Sequence, residues 1–172
     1  MSQNRLALPT WSYAMEKYPP TTIVELGTDC GGFTCALGVH AWRIKAQIHT
    51  FNLNPAPTSA FLPLSDLLPI AFHVGDCFDP AVTQKIADYI RVPGITYVLC
   101  DAGDKPREFN LFSQYLKPGD VIAAHDYYVD SKWWGWGEIS KHQVVEAVEA
   151  NNLVPFFQEH FDTAGWLAYK KQ

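Results

Sequence analysis

The sequence has little of what marks a nucleic-acid-binding, membrane or secreted protein. Its 13 basic and 18 acidic residues give a net charge of −5, and Lys170-Lys171 is its largest basic cluster. A nucleic-acid partner therefore has little electrostatic support. No apolar run approaches the roughly 20 residues of a membrane span, and the N-terminal residues 1–9 lack a signal-peptide core. We therefore expect a cytoplasmic protein without nucleic-acid or membrane partners.

Cysteine is scarce as well. The four cysteines include no C-x-x-C pair, so reduced thiols in a core are expected rather than disulfides or metal ligands. The chain also lacks internal repeats, low-complexity segments and linkers. With 172 residues, 48% of them hydrophobic and 18% charged, it is expected to form a single domain over residues 1–172.

The most informative motif is a short apolar run followed by a glycine-rich turn and a helical pattern. It reads Glu25-x-Gly27-x-x-x-Gly31-Gly32, which is neither the G-x-G-x-x-G of dinucleotide-binding proteins nor a P-loop. Glycines let the backbone approach a ligand, and the amides of the first helical turn are free to donate. An acid two residues before the first glycine suits a ligand with a cationic end. The alternative is a tight strand-to-helix turn without a ligand.

Strand-like runs alternate with longer helical patterns along most of the chain. The pattern predicts helices over residues 10–18, 32–44, 80–91, 105–116 and 138–151, and strands over 22–27, 47–53, 70–74, 95–100 and 121–125. Thr10 and Asp79 are the predicted N-caps, with Pro80 at the first helical position. Four prolines between Pro55 and Pro69 require any helix there to be short or irregular.

The C-terminal pattern is different. Residues 153–160 and 165–169 are predicted strands joined only by residues 161–164, and so short a link requires an antiparallel hairpin. The five preceding strands are separated by helices, which indicates parallel strands with right-handed crossovers. The sequence thus predicts a doubly wound α/β sheet of seven strands, mostly parallel, closed by an antiparallel hairpin.

Polar residues and glycines lie at the carboxyl end of every predicted parallel strand. They are Glu25 and Gly27, Asn52 and Asn54, Gly75 and Asp76, Asp101, and His125 and Asp126. A single acid after a strand usually caps a helix or forms a turn. Ligands of such sheets bind beyond the carboxyl ends of the strands, so the whole set indicates a site at that edge.

In its order of motifs, the chain resembles the class I S-adenosylmethionine-dependent methyltransferases over residues 20–170. The segments that carry the resemblance are Glu25-Leu-Gly27-Thr-Asp-Cys-Gly31-Gly32, Gly75-Asp76-Cys77, Leu99-Cys-Asp101 and residues 115–126. The last two look most like metal-dependent sugar and macrolide O-methyltransferases and their cephalosporin-hydroxylase-like relatives. The resemblance implies a Rossmann-like sheet of strand order 3-2-1-4-5-7-6.

The resemblance also implies roles for individual residues. S-adenosylmethionine would be bound by Glu25, Gly27, Thr28, Gly31, Asn52, Asp76, Cys77 and Asp101. Mg²⁺ or another divalent cation would be held by Asp101, His125 and Asp126, and would lower the pKa of an acceptor hydroxyl. His125 suits a transition metal better than Mg²⁺, and it could instead be a hydrogen-bonded core residue.

Two departures from the family pattern affect the expected chemistry. The second strand should end in an acid that binds the ribose hydroxyls, but Asn52 offers only a neutral acceptor. Where related enzymes place a catalytic base, this chain has Asp104 followed by Lys105. These two residues are the catalytic candidates, although Asp104 could simply cap the next helix.

A loop with three tryptophans, residues 127–137, follows Asp126. It could form an aromatic wall for a planar or sugar acceptor, or a hydrophobic seal or subunit contact. We expect no separate substrate domain within these 172 residues. An acceptor site would therefore use this loop, the N-terminal helix or a second subunit of a homo-oligomer.

The sequence supports three hypotheses. The first is an O-methyltransferase acting on a small-molecule hydroxyl, with or without a divalent metal. The second is a cofactor-binding member of the fold with altered or lost catalysis that acts as an interaction module. The third, a nicotinamide-dependent oxidoreductase, is disfavoured by the glycine spacing and by the closing hairpin.

Overall fold

A computed structural model describes residues 5–55, 61–128 and 137–172. These residues form a seven-stranded sheet of order β3-β2-β1-β4-β5-β7-β6. β1 to β5 are parallel, and β7 runs antiparallel to both β5 and β6. The predicted fold class and strand order are confirmed. The strands are β1 (Thr22–Leu26), β2 (Gln47–Asn52), β3 (Ile70–Val74), β4 (Thr96–Cys100), β5 (Val121–His125), β6 (Leu153–Pro155) and β7 (Trp166–Lys171).

Helices cover both faces of the sheet. They are α1 (Ala7–Lys17), α2 (Gly32–Ile44), α3 (Phe61–Ser65), α4 (Pro80–Ile90), α5 (Lys105–Phe112), α6 (Val145–Ala150) and α7 (Gln158–Ala164), with 3₁₀ turns at Ser113–Tyr115 and Lys141–Gln143. Alternate residues of the central strands point to opposite faces. Val98 packs with residues of α4 and α5, whereas Leu99 packs with residues of α1, α2 and α7. Among the described residues, no helix has the length and apolarity that a membrane crossing requires.

Strand register places the predicted polar residues at one edge. Leu26 at the end of β1 lies beside Phe51 of β2 and Cys100 of β4. Gly27, Asn52 and Asp101 follow these three residues directly. Since the carboxyl ends of parallel strands meet at the same edge of a sheet, these residues at the ends of β1, β2 and β4 open onto one cleft.

Helix α4 begins as predicted, but α1 does not. The Asp79 carboxylate accepts hydrogen bonds from the amides of Ala81 and Val82 at 2.9 and 3.4 Å, and Pro80 opens α4. α1 begins at Ala7, three residues earlier than predicted, so the prediction of Thr10 as its N-cap is wrong. Thr10 is buried inside the helix because this turn packs against the sheet.

The predicted last strand pair is partly wrong. β6 ends at Pro155, and a helix, α7, occupies much of the segment predicted as strand and link. Phe161 lies on this helix and packs edge-on against Trp11, with ring centroids 4.7 Å apart. Burial of Phe161 against α1 favours the helical turn over a longer strand. The antiparallel pairing of β6 with β7 is nevertheless confirmed.

Two other helices are shorter than predicted. α5 ends at Phe112 and continues as the 3₁₀ turn Ser113–Tyr115 rather than reaching residue 116. α6 starts at Val145 instead of residue 138. Ser140 and Gln143 form a capping box ahead of it, and this local hydrogen bonding makes a 3₁₀ turn there instead of a longer helix.

Gly27 provides a test of this arrangement. It has φ +93°, and a Cβ there would lie 2.2 Å from the backbone oxygen of Asp101. Gly27→Ala should therefore lower the free energy of unfolding by about 2 kcal/mol or more, since β1 and β4 would have to separate. The control is Gly32→Ala, where none of the described atoms would lie within 4 Å of the added Cβ. Urea unfolding of both variants checks this, and equal stability of the two would contradict it.

Candidate functional site

A cleft of about 860 Å³ opens at the carboxyl edge of the sheet, within the range of small-molecule sites. The structure brings every predicted site residue to this one cleft. Its lining includes Glu25, Gly27, Thr28, Gly31, Asn52, Asp76, Cys77, Asp101, Asp104, Lys105, His125 and Asp126. The tryptophans of the loop, Trp133, Trp134 and Trp136, lie outside the described residues.

The glycine turn brings backbone donors to the cleft. Gly31 has φ +78°, which favours glycine, and it occupies the N-cap position of α2. Gly31, Gly32 and Phe33 all line the cleft. Since glycine has no side chain to cap the helix, the first-turn amides and the positive end of the α2 dipole are available to an anionic group.

Glu25 is the buried acid of this turn. Its Oε2 accepts hydrogen bonds from the hydroxyls of Thr50 at 2.6 Å and Thr34 at 2.7 Å. Thr50 in turn lies 2.7 Å from the hydroxyl of Thr28. Burial raises the pKa of Glu25 to about 7, although both hydroxyls lower it and the nearby charge of Asp101 adds a smaller rise. A ligand cation in the cleft would favour the ionised form of this carboxyl group.

Asn52, Asp76 and Cys77 form the opposite wall. The Asn52 amide nitrogen donates to the backbone oxygen of Asn54 at 3.1 Å, which leaves its carbonyl oxygen as the acceptor for a ligand. Asp76 accepts from the amide of Phe78 at 2.9 Å and so fixes the turn after β3. Burial raises the pKa of the Cys77 thiol to about 12, so the thiol remains protonated.

The three predicted metal ligands converge at the other end of the cleft. Ligand atoms of Asp101, His125 and Asp126 lie within 4.8 Å of one another. His125 Nδ1 is 3.1 Å from Asp101 Oδ1 and 3.4 Å from Asp126 Oδ1. Asp126 has φ +56°, a conformation that is uncommon for residues other than glycine. This backbone turn follows β5 directly, so Asp126 reaches the cleft together with His125.

Lys105 lies among the same carboxylates. Its Nζ is 3.3 Å from Asp126 Oδ2, 3.7 Å from Asp101 Oδ1 and 2.5 Å from Glu138 Oε2. Burial lowers the pKa of Lys105, but its hydrogen bond to Glu138 and the charges of Asp101, Asp126 and Glu138 outweigh burial and raise it. Lys105 therefore remains a cation, which suits it to hold oxygens rather than to accept a proton.

Asp104 serves as the N-cap of α5. Its Oδ1 accepts a hydrogen bond from the amide of Arg107 at 3.2 Å. Asp104 therefore has the helix-capping role that the sequence offered as the alternative to catalysis. Asp104 also lines the cleft, and its carboxylate is exposed. The capping role does not prevent a second role, since a carboxylate has two oxygens and several lone pairs.

Two acids that support the candidate site were not predicted from the sequence. Glu138 lies 33 residues from Lys105 in the chain, so no local spacing indicates their ion pair. Glu108 accepts from the amides of Ala102 and Asp104 at 3.2 and 2.9 Å and thereby fixes the turn after β4. An acid in the first turn of α5 could have indicated this capping contact. Burial raises the pKa of Glu108 to about 6, and the two amide hydrogen bonds limit the rise.

The sequence matches no protein-family model and no curated protein, whereas solved structures do match. An apo-structure of CmcI-N160 aligns over 99% of this chain and 72% of its own, with 16% identity and a TM-score of 0.69. The chain has the fold of the class I S-adenosylmethionine-dependent methyltransferases. CmcI-D160 with Mg and SAM aligns over 100% and 73% of the two chains, with 16% identity and a TM-score of 0.68.

A third methyltransferase structure extends this comparison. Geranyl diphosphate C-methyltransferase from Streptomyces coelicolor A3(2) was solved with Mg²⁺, geranyl diphosphate and S-adenosyl-L-homocysteine. It aligns over 95% of this chain and 79% of its own, with 15% identity and a TM-score of 0.55. This methyltransferase fold therefore accommodates acceptors that are methylated on carbon, and the fold alone does not select the acceptor atom.

The raised pKa of Glu25 predicts a pH-dependent effect of Glu25→Gln. In the folded chain the carboxyl group holds its proton up to about pH 7, whereas the unfolded value is 4.5. Glu25 therefore favours folding below about pH 4.5, and this contribution is lost as the pH rises through 7. The stability of Glu25→Gln relative to wild type should increase by about 3 kcal/mol between pH 4.5 and 8.

Urea unfolding of both proteins at pH 4.5 and 8 measures this difference. Burial lowers the pKa of His49 to about 4, so titration of His49 changes stability with pH in the opposite direction. This change is the same in both proteins, and the difference between them removes it. The interpretation of Glu25 would be wrong if the difference between the two proteins did not change with pH.

Proposed function

We propose that this chain transfers the methyl group of S-adenosylmethionine to a hydroxyl of a small-molecule acceptor. The observation that carries the proposal is the single cleft that combines an anion-binding helix N-terminus, a buried acid and a carboxylate cluster. The fold supports the cofactor, because this strand order and closing hairpin are shared with S-adenosylmethionine-dependent methyltransferases.

The donor half would use residues at the carboxyl ends of β1, β2 and β3. Glu25 would receive the ammonium group of the methionine moiety, and the first turn of α2 would receive its carboxylate. Asn52 would accept from a ribose hydroxyl, and Asp76 and Cys77 would border the adenine. Glu25 ionises when it faces the ammonium, so the cost of burying its charge is offset by a charge-assisted hydrogen bond.

The acceptor half would use the residues after β4 and β5. An acceptor oxygen attacks the methyl carbon in line, the sulfur–methyl bond breaks, and S-adenosylhomocysteine leaves as a neutral thioether. The hydroxyl proton passes to a carboxylate, for which the exposed Asp104 is our candidate base. Lys105 would hold Asp101 and Asp126 in place. Positioning of the two reactants would supply much of the rate.

A second candidate is a cofactor-binding module without catalysis. Two observations favour it: Asn52 replaces the acid expected at the ribose, and Asp104 is already used as a helix cap. This candidate shares the donor half with the first and differs only in the absence of transfer.

A transfer assay distinguishes the two candidates. The chain would be incubated with S-adenosylmethionine carrying a labelled methyl group and with catechol and sugar acceptors, and products would be read by mass spectrometry. We expect labelled O-methyl product, with a loss of about tenfold or more in Asp104→Asn. The matched control Asp88→Asn, at an exposed position of α4 outside the cleft lining, should lose none. Binding without transfer to any acceptor would favour the second candidate. Failure to bind S-adenosylmethionine would refute both.

A further inference from the structure

Lys105 occupies the centre of the acceptor-side carboxylates. Its side chain is buried, and its ammonium reaches acids from three separate segments of the chain, at 3.7 Å from Asp101, 3.3 Å from Asp126 and 2.5 Å from Glu138. It also donates to the backbone oxygen of Ala102 at 3.2 Å. A buried ammonium requires such compensation, and here three carboxylates and a carbonyl provide it.

His125 contacts the same two acids, at the same oxygen of Asp101 and at the other oxygen of Asp126. Its Nδ1 lies 3.1 Å from Asp101 Oδ1 and 3.4 Å from Asp126 Oδ1. Because carboxylate oxygens only accept, the tautomer of His125 that hydrogen-bonds to these acids carries its hydrogen on Nδ1. A protonated nitrogen is not a metal ligand. The hydrogen-bonding arrangement of His125 therefore differs from the one that a bound cation would require.

A divalent cation at this position would meet two obstacles. It would need Nδ1 of His125 without its hydrogen, and it would compete with the Lys105 ammonium for Asp101 and Asp126. Two cations sharing carboxylates a few ångströms apart repel strongly in a partly buried site. The donor types would suit a divalent ion that tolerates imidazole, but the arrangement of the cluster around Lys105 does not fit one.

We propose that the Lys105 ammonium is the resident cation of the Asp101–Asp126–Glu138 cluster and that it replaces the divalent metal there. The inference concerns metal binding and holds whether or not the chain transfers methyl groups. If the proposed function holds as well, transfer proceeds without added metal.

Binding of Mn²⁺ followed by electron paramagnetic resonance tests the inference without cofactor or acceptor. Wild type should show no saturable Mn²⁺ binding at this cluster. Lys105→Met removes the ammonium while keeping the length of the side chain. It should create saturable Mn²⁺ binding that is at least roughly tenfold tighter than the weakest binding the titration detects. The double variant Lys105→Met/Asp126→Asn should lose that gain. Lys17→Met, at an exposed position on α1, is the matched control and should bind as wild type does.

Two outcomes would overturn the inference. One is saturable Mn²⁺ binding by wild type that Asp126→Asn abolishes, a comparison that does not require Lys105→Met to fold. The other is a folded Lys105→Met variant, verified by circular dichroism, that binds Mn²⁺ no better than wild type. Binding of S-adenosylmethionine, measured on the same preparations, reports separately on the proposed function.

Discussion

The buried carboxyl group of Glu25 joins the elements around the glycine turn. It belongs to β1 and accepts hydrogen bonds from the hydroxyls of Thr34 in α2 and Thr50 in β2. A buried acid must be neutral, hydrogen-bonded or paired with a cation. Both hydroxyls are committed to it, so β1, β2 and the start of α2 are fixed relative to one another. The remaining requirement of its ionised form is a cation, which the ammonium group of the proposed cofactor would supply.

The two ends of the cleft, which we call the donor end and the acceptor end after the function proposed for them, are built by different means. The donor end depends on backbone geometry: positive φ angles at Gly27 and Gly31, close contact between β1 and β4, and the first turn of α2. The acceptor end depends on charged side chains from distant parts of the chain, and Lys105 forms ion pairs with three of them. Sequence motifs record the first kind of site well, because its residues are adjacent in the chain.

This difference explains what could be predicted from the sequence. Strand order, the Asp79 cap of α4 and the convergence of the strand-end residues all follow from local patterns. α7 has only seven residues, too few to show a helical period, and its position depends on packing of Phe161 against Trp11. The Lys105–Glu138 ion pair joins residues 33 positions apart, and no local rule relates them.

The central claim is that the cleft binds S-adenosylmethionine with its ammonium group at Glu25. Calorimetric titration with S-adenosylmethionine at pH 6.5, in buffers of different ionisation enthalpy, tests it most directly. Because the pKa of Glu25 is about 7 without ligand, ionisation on binding should release roughly half to one proton for each cofactor bound. The release should disappear in Glu25→Gln. A binding heat that is the same in every buffer, or no binding at all, would contradict the account.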